Sequence, residues 1–285
     1  MILKNRKIFF LYDLSKKTGN GHFSRCKYFR KIFPKKYRAS FINTNQNWLI
    51  NYKGDIFDYG IIDSYSISLN LEKKLKKLCN KLITIDDFQR KKFASDIVIN
   101  YSPLAKKKHY NNNYSKLLLG PKFNFIKNSP RANNYKPKKK FNLFFYFGQR
   151  NRAKLTNSFL NKIKNKKIIK NLFIYDGKKK KISHNEFLKK MDKSDIIVCS
   201  SGVTLQEALS RKKLIFSKFF SKNQKSFFKF YKEKKMIEDL SLFQEIMNSS
   251  IEKINNLLVK KKKLFTKFNK EKINYFKYWE IIKNV

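Results

Sequence analysis

Short apolar runs alternate with longer amphipathic stretches along almost the whole chain, and this alternation constrains the fold more than any other feature. In the first half the runs are Ile8–Tyr12, Ala39–Ile42, Gly60–Asp63, Leu82–Ile85, Asp96–Ile99 and Leu117–Leu119, with helical spacing over 22–33 and 68–80. Runs this short suit strands buried on both faces, and strands separated by helices make βαβ units with a mainly parallel sheet. Residues 127–140 are polar, contain proline and lack periodicity, so they read as a linker. The pattern then restarts with Phe141–Phe147, a helix near 152–164, Leu172–Tyr175, and a helix opened by Ser183 with Glu186 at capping-box spacing. Asp195–Cys199, a helix from about Thr204 to Arg211, Leu214–Phe216 and further helices complete it. The expected fold class is α/β, with two Rossmann-like parallel-sheet domains facing across a cleft. The expected boundaries are 1–132, a linker at 133–140, and 141–285 including the C-terminal helices.

A chain of 285 residues with 41% hydrophobic side chains can bury real cores, which excludes wholesale disorder. Its formal charge of +47 would ordinarily suggest nucleic acid or an anionic membrane. The excess is mostly lysine, spread from end to end and accompanied by abundant Asn, Ile and Phe, as AT-rich coding sequence writes into tolerant surface positions. No arginine-rich arm or RNA-binding aromatic motif appears, so no specific nucleic-acid partner is expected, only weak attraction to polyanions. Cys26, Cys79 and Cys199 lack metal-ligand spacing and read as buried thiols. No apolar stretch reaches the roughly 18 residues of a membrane span. The five-residue run after Lys4, Arg6 and Lys7 is too short for the apolar region of a signal peptide. A cytoplasmic monomer is expected.

Two segments have the pattern strand, small-residue turn, helix. The first is Gly19-Asn20-Gly21-His22-Phe23-Ser24-Arg25-Cys26 after Ile8–Tyr12. Glycines let a ligand approach the backbone, a helix N-terminus offers unpaired N–H groups, and an imidazole at such a lip can act as a base near neutral pH. A surface turn with an incidental histidine explains the octapeptide equally well. The second is Cys199-Ser200-Ser201-Gly202-Val203-Thr204, with Glu207 one turn further on. Its N–H groups and hydroxyls suit a diphosphate and its carboxylate a ribose diol; taken alone, a plain capped helix is the better reading. Asp63-Ser64-Tyr65 and Asp86-Asp87 follow strands, at the edge where α/β folds bind ligands. No His or Glu cluster supports a metal there, and both aspartates of the second pair read as loop caps. His109 and His184 read as exposed surface residues.

Taken together, Gly-x-Gly-His-x-x-Arg-Cys, Asp-x-Tyr, Asp-Asp, Leu-x-Gly-Pro-x-aromatic, Ser-Gly-x-Thr-x-x-Glu-Ala and Asn-Gln resemble one family. It is the UDP-2,4-diacetamido-2,4,6-trideoxy-β-L-altropyranose hydrolases of pseudaminic acid biosynthesis, related to the GT-B transferase that adds N-acetylglucosamine to the peptidoglycan lipid precursor. The resemblance runs from about residue 8 to 235. It implies a GT-B-like fold and His22 as the base that activates water against the anomeric carbon, releasing UDP with inversion. It places Gly19, Gly21, Arg25, Tyr65, Asn223 and Gln224 at the sugar and diphosphate. It places Ser201, Gly202, Val203, Thr204 and Glu207 at the nucleotide. The implied scheme needs no cofactor and no metal, and the partner is the UDP-linked diacetamido sugar. The chain departs from the family at Ser64, where a histidine is frequent. It departs again at Phe147-Gly148-Gln149-Arg150, where a two-glycine turn is reduced to one glycine; Arg150 or Arg152 could supply charge to a diphosphate instead, and a solvated pair explains them equally well. A glycosyltransferase using the same base, and a basic binding protein without catalysis, are the alternatives.

Overall fold

Every apolar run of the sequence becomes a strand of one of two parallel sheets in the computed structural model, which describes residues 6–14, 21–44, 52–90, 92–110, 115–126, 136–148, 153–164, 166–175, 183–269 and 273–285. The chain divides into two units, Met1–Ile126 with Lys272–Val285, and Lys127–Glu271. The first unit contains β1 (Arg6–Tyr12), α1 (Gly21–Arg30), β2 (Tyr37–Asn43), β3 (Phe57–Asp63), α2 (Leu69–Lys76), β4 (Cys79–Ile85), β5 (Ile97–Asn100) and β6 (Lys116–Leu119). The strands lie in the order β2-β1-β3-β4-β5-β6, all parallel. Ile8 to Tyr12 are buried without interruption, as expected of a strand covered on both faces. Gly60 on β3 is required by close packing: a Cβ there would lie 2.3 Å from Cζ of Phe9.

The second unit contains β7 (Phe141–Tyr146), α3 (Ala153–Asn161), β8 (Ile169–Ile174), α4 (His184–Lys193), β9 (Ile196–Ser200), α5 (Val203–Leu209) and β10 (Leu214–Lys218). After these come α6 (Lys222–Glu233), the two-residue β11 (Glu238–Asp239), α7 (Phe243–Met247) and α8 (Ile251–Asn269). The sheet order is β11-β10-β9-β7-β8, again parallel. Phe141, Phe145, Val198 and Phe216 of the sheet pack with Phe243, Ile246 and Ile254 of the helices in one core. Ser183 caps α4 by accepting the N–H of Glu186, as the spacing predicts.

Three expectations change. The helix expected over 68–80 stops at Lys76, because Cys79 already pairs with Phe57 at the start of β4. Most of the expected linker, 127–135, lies outside the described residues. Its end is held on the second unit: Lys138 exchanges backbone hydrogen bonds with the Asn255 side chain and its ammonium sits 2.6 Å from Asp195. Finally, α9 (Tyr275–Lys283), assigned from sequence to the second domain, belongs to the first unit. Its aromatic face explains this. The Tyr278 hydroxyl donates to the Phe123 carbonyl and that of Tyr275 to the Phe125 carbonyl, while Trp279 packs against Phe33, Tyr37 and Tyr59. Among the described residues no helix is long and apolar enough to cross a membrane, and no group of His, Cys, Asp and Glu could hold a metal ion. All three cysteines are buried.

Candidate active site

In the first sheet the order of strands reverses at β1 and β3, and the carboxyl edge at such a switch point is where open parallel sheets bind ligands. Asp63 ends β3 there, Asp13 follows β1, Asp86 and Asp87 follow β4, and α1 begins with Gly21 and His22. His22 and Asp63 meet there. Nδ1 of His22 lies 2.6 Å from Oδ1 of Asp63 and 2.9 Å from the Asp63 carbonyl oxygen. Both are acceptors, and they outweigh a 3.3 Å approach from Nη2 of Arg25, so Nδ1 carries a proton, and in the neutral ring the lone pair is on Nε2. Among the described residues none hydrogen bonds to Nε2. His22 and Asp63 are 3% and 0% exposed, which keeps the pair out of bulk water.

Arg25 stands one turn beyond His22 on the same helix face. Its Nε donates to Oδ2 of Asp63 at 2.8 Å and Nη2 to Oδ1 of the same carboxylate, while Nη1 grips both oxygens of Asp87 at 2.7 and 2.6 Å. Burial disfavours the guanidinium charge, but the two carboxylates more than compensate and raise its pKa well above the ordinary arginine value. Burial likewise pushes the Asp87 carboxyl up, and Arg25 with the Tyr65 hydroxyl holds it below the usual carboxylate range. The Tyr65 hydroxyl donates to Oδ2 of Asp87 at 2.5 Å, and its ring meets the His22 ring edge-on at 4.3 Å. Arg25, expected at the substrate, is engaged in fixing two carboxylates, whereas Tyr65 is 40% exposed beside His22.

Asp13 fixes the loop that carries Tyr65. Its carboxylate accepts from the hydroxyls of Ser64 (2.6 Å), Ser66 (2.9 Å) and Thr44 (2.9 Å) and from the N–H of Tyr65 (2.6 Å). Burial acts against its charge, yet these four donors hold its pKa below the ordinary value. A carboxyl depressed in the folded state contributes its full stability above the unfolded value of about 4 and loses it as pH falls through the folded value. Asp13→Ala is expected to cost about 3 kcal/mol near neutral pH, since it strands several buried donors. The gap to the parent protein should narrow on acidification, and thermal melting near neutral pH and near pH 3 measures it. A gap independent of pH would show that the charge plays no part.

In the second unit the reversal falls between β7 and β9, and Ser200 to Val203 lie at the carboxyl end of β9. Gly202 precedes α5 with no side-chain cap, and its carbonyl accepts the N–H of Leu205 at 3.1 Å. Val203 is half-buried and Thr204 buried at this turn. Ser201 is fully buried, its N–H donated to the Lys218 carbonyl and its hydroxyl bonded to that of Ser217 at 2.8 Å. Its hydroxyl, expected at the nucleotide, is thus bonded within the unit. Gln224 of α6 lies against Gly202, where a Cβ would come within 3.3 Å of its Nε2, and its Oε1 accepts the Phe220 N–H. Asn223 accepts from the Ser221 hydroxyl at 2.6 Å. Glu207 is 2% exposed, and its Oε1 lies 3.2 Å from Nε2 of His184. His184 is thus half-buried and paired with Glu207 rather than the exposed surface residue expected. Burial and the Glu207 charge together push the Tyr146 hydroxyl up to about 12.

The structure brings His22, Arg25 and Tyr65 together in the first unit, and Gly202 with Gln224 in the second. Gly21 opens α1; Gly19, Gln149, Arg150 and Arg152 lie outside the described residues. Gly148, the surviving glycine of the altered turn, has a φ of +94° that other residues rarely adopt. Sequence reasoning missed Asp63 as the partner of His22, Asp87 as the partner of Arg25, and Asp13 altogether. Asp86 does cap its loop, as expected, by accepting from the N–H groups of Phe88 and Gln89.

Two parallel-sheet α/β units of this kind define a GT-B-like fold. Among solved structures the chain is similar to MurG of Acinetobacter baumannii, with a TM-score of 0.59 and 12% identity over 98% of this chain and 100% of that one. It is similar to the glycosyltransferase SsfS6 of Streptomyces sp. SF2575, complexed with thymidine diphosphate (TM-score 0.57, 8% identity, 98% and 100% covered). It is also similar to a Listeria monocytogenes protein assigned as a UDP-N-acetylglucosamine 2-epimerase (TM-score 0.52, 9% identity, 92% and 94% covered). At such identities the likeness is one of fold. No protein-family model and no curated protein sequence matches the chain.

Proposed function

We propose that the chain is a cytoplasmic nucleotide-sugar hydrolase that releases UDP from UDP-2,4-diacetamido-2,4,6-trideoxy-β-L-altropyranose. The observation that carries this reading is the His22–Asp63 pair at the carboxyl edge of the first sheet, a histidine whose tautomer is set by a buried carboxylate. In the reaction a water oxygen bonds to the anomeric carbon while Nε2 of His22 takes the water proton. The bond from that carbon to the diphosphate oxygen breaks, its electron pair leaves with UDP, and attack opposite the leaving group inverts the centre. The imidazolium so formed faces the Asp63 carboxylate. UDP leaves as an anion, for which the uncapped start of α5 at Gly202 to Thr204 offers positive dipole ends. Glu207, beside His184, is the group proposed for the ribose.

The fold likeness to two glycosyltransferases favours a second reading, in which an acceptor hydroxyl replaces water and the same base serves. Incubation with the named UDP-sugar alone, followed through the anomeric proton by NMR, separates the two. Free UDP with a first-formed sugar of inverted configuration is the expected result. An intact substrate together with measurable UDP binding would transfer the assignment to the transferase, and neither turnover nor UDP binding would overturn both.

A further inference from the structure

Resting on the sugar-nucleotide reading above, we propose that Phe88 determines sugar specificity, its ring receiving a face of the sugar that carries methyl or C–H groups rather than hydroxyls. The ring is 53% exposed, stands edge-on against Tyr65 at 4.6 Å, and Tyr65 in turn stands edge-on against His22 at 4.3 Å. Three aromatic rings therefore lead from the base to the surface. A single exposed phenylalanine is ordinary in itself. This one is held out by a built turn. The Asp86 carboxylate, 5% exposed, accepts from the N–H of Phe88 at 3.1 Å and of Gln89 at 2.8 Å. Asn100 and the Tyr110 hydroxyl tie the same carboxylate down from behind at 3.2 and 2.9 Å. Gln89 adopts a φ of +59°, a left-handed conformation that is strained for a residue other than glycine, and its side chain is fastened to the Leu104 carbonyl at 3.1 Å. Four hydrogen bonds on a buried carboxylate and a strained residue thus maintain an apolar ring in water next to the residue that abuts the base.

The chemistry of the ring selects the ligand. A phenyl face is electron-rich and attracts the weakly positive hydrogens of C–H bonds, and it offers a hydroxyl no hydrogen bond in exchange for lost water. Sugars bearing acetamido or deoxy methyl groups gain most from that contact, and glucose, which offers ring C–H groups but no methyl, gains less.

Saturation-transfer NMR on the full chain tests this with free 2,4-diacetamido-2,4,6-trideoxyaltropyranose and with glucose, alongside UDP titration. The parent protein should saturate the methyl protons of the diacetamido sugar and bind it in preference to glucose. Phe88→Ala should weaken that binding about tenfold and raise KM for the UDP-sugar more than it lowers kcat, while Phe88→Trp restores both and UDP affinity stays constant. Equal sugar affinity in Phe88→Ala and the parent protein, or no preference over glucose, would overturn the inference. Sugar binding that depends on Phe88 in a protein that leaves the UDP-sugar intact would sustain it and sink the hydrolase reading instead.

Discussion

His22→Ala is expected to lower turnover of the UDP-sugar by about 10²–10⁴-fold, the range a positioned general base supplies, with the dissociation constant for UDP unchanged. The two effects separate because the proton transfer belongs to the chemical step alone. The ring is placed for it by its first-turn position on α1, by the Asp63 carboxylate at 2.6 Å on Nδ1 and by Tyr65 against its face. Loss of the imidazole leaves Asp63 with its two hydrogen bonds from Arg25, so the buried charge keeps a partner and the fold should hold. NMR rates with calorimetric UDP titration check it, and a variant turning over at the parent rate would remove His22 from the mechanism.

Asp63→Asn is expected to cut kcat by about 10³-fold or more, since it reverses the histidine tautomer while changing almost no volume. Arg25 donates to both carboxylate oxygens and Nδ1 of His22 donates to one of them. An amide in that place has one acceptor oxygen and one donor nitrogen. Turned with its nitrogen toward His22, it faces Nδ1 of His22 and Nη2 of Arg25 and drives the ring proton from Nδ1 to Nε2, the nitrogen that must accept; turned the other way, it meets Nε of Arg25. The variant should also be less stable by about 3–5 kcal/mol, because a buried guanidinium loses part of its counter-charge. Rates and melting curves on the same preparation distinguish the effects: a folded variant with undiminished kcat would dissolve the pair as a catalytic unit.

The parallel sheets were legible because strands buried on both faces are written as short apolar runs, and His22 was legible because a strand, a glycine pair and a helix surround it. Its partners were not. Asp63 lies 41 residues away, and only the register of β1 with β3, Tyr12 opposite Asp63, brings it to the start of α1. The two aspartates after β4 have the same side chain and opposite duties: Asp86 turns back to cap the loop, while Asp87 reaches Arg25. Adjacent residues at the end of a strand point to opposite sides, so composition alone could not divide them. Asp13 carried no local signal, since its four donors come from residues 44 and 64 to 66. The aromatic spacing of Tyr275, Tyr278 and Trp279 did mark an amphipathic helix, but such a face says that it is buried and not against which sheet.

The return of α9 to the first unit has a consequence for how the protein is made. Residues 6–126 leave the ribosome long before 273–285, yet Phe29, Phe33, Tyr37 and Tyr59 are covered by Tyr278 and Trp279 from that last stretch. The earlier-synthesised sheet must therefore wait with an aromatic flank open to solvent while the second unit is translated and folds. Its closing step depends on contacts more than 200 residues apart, such as Lys81 to the Ile282 carbonyl. Contacts of that separation form slowly because the loop between them must first be closed. For this chain, the unit that holds His22 and Asp63 is the one born unfinished.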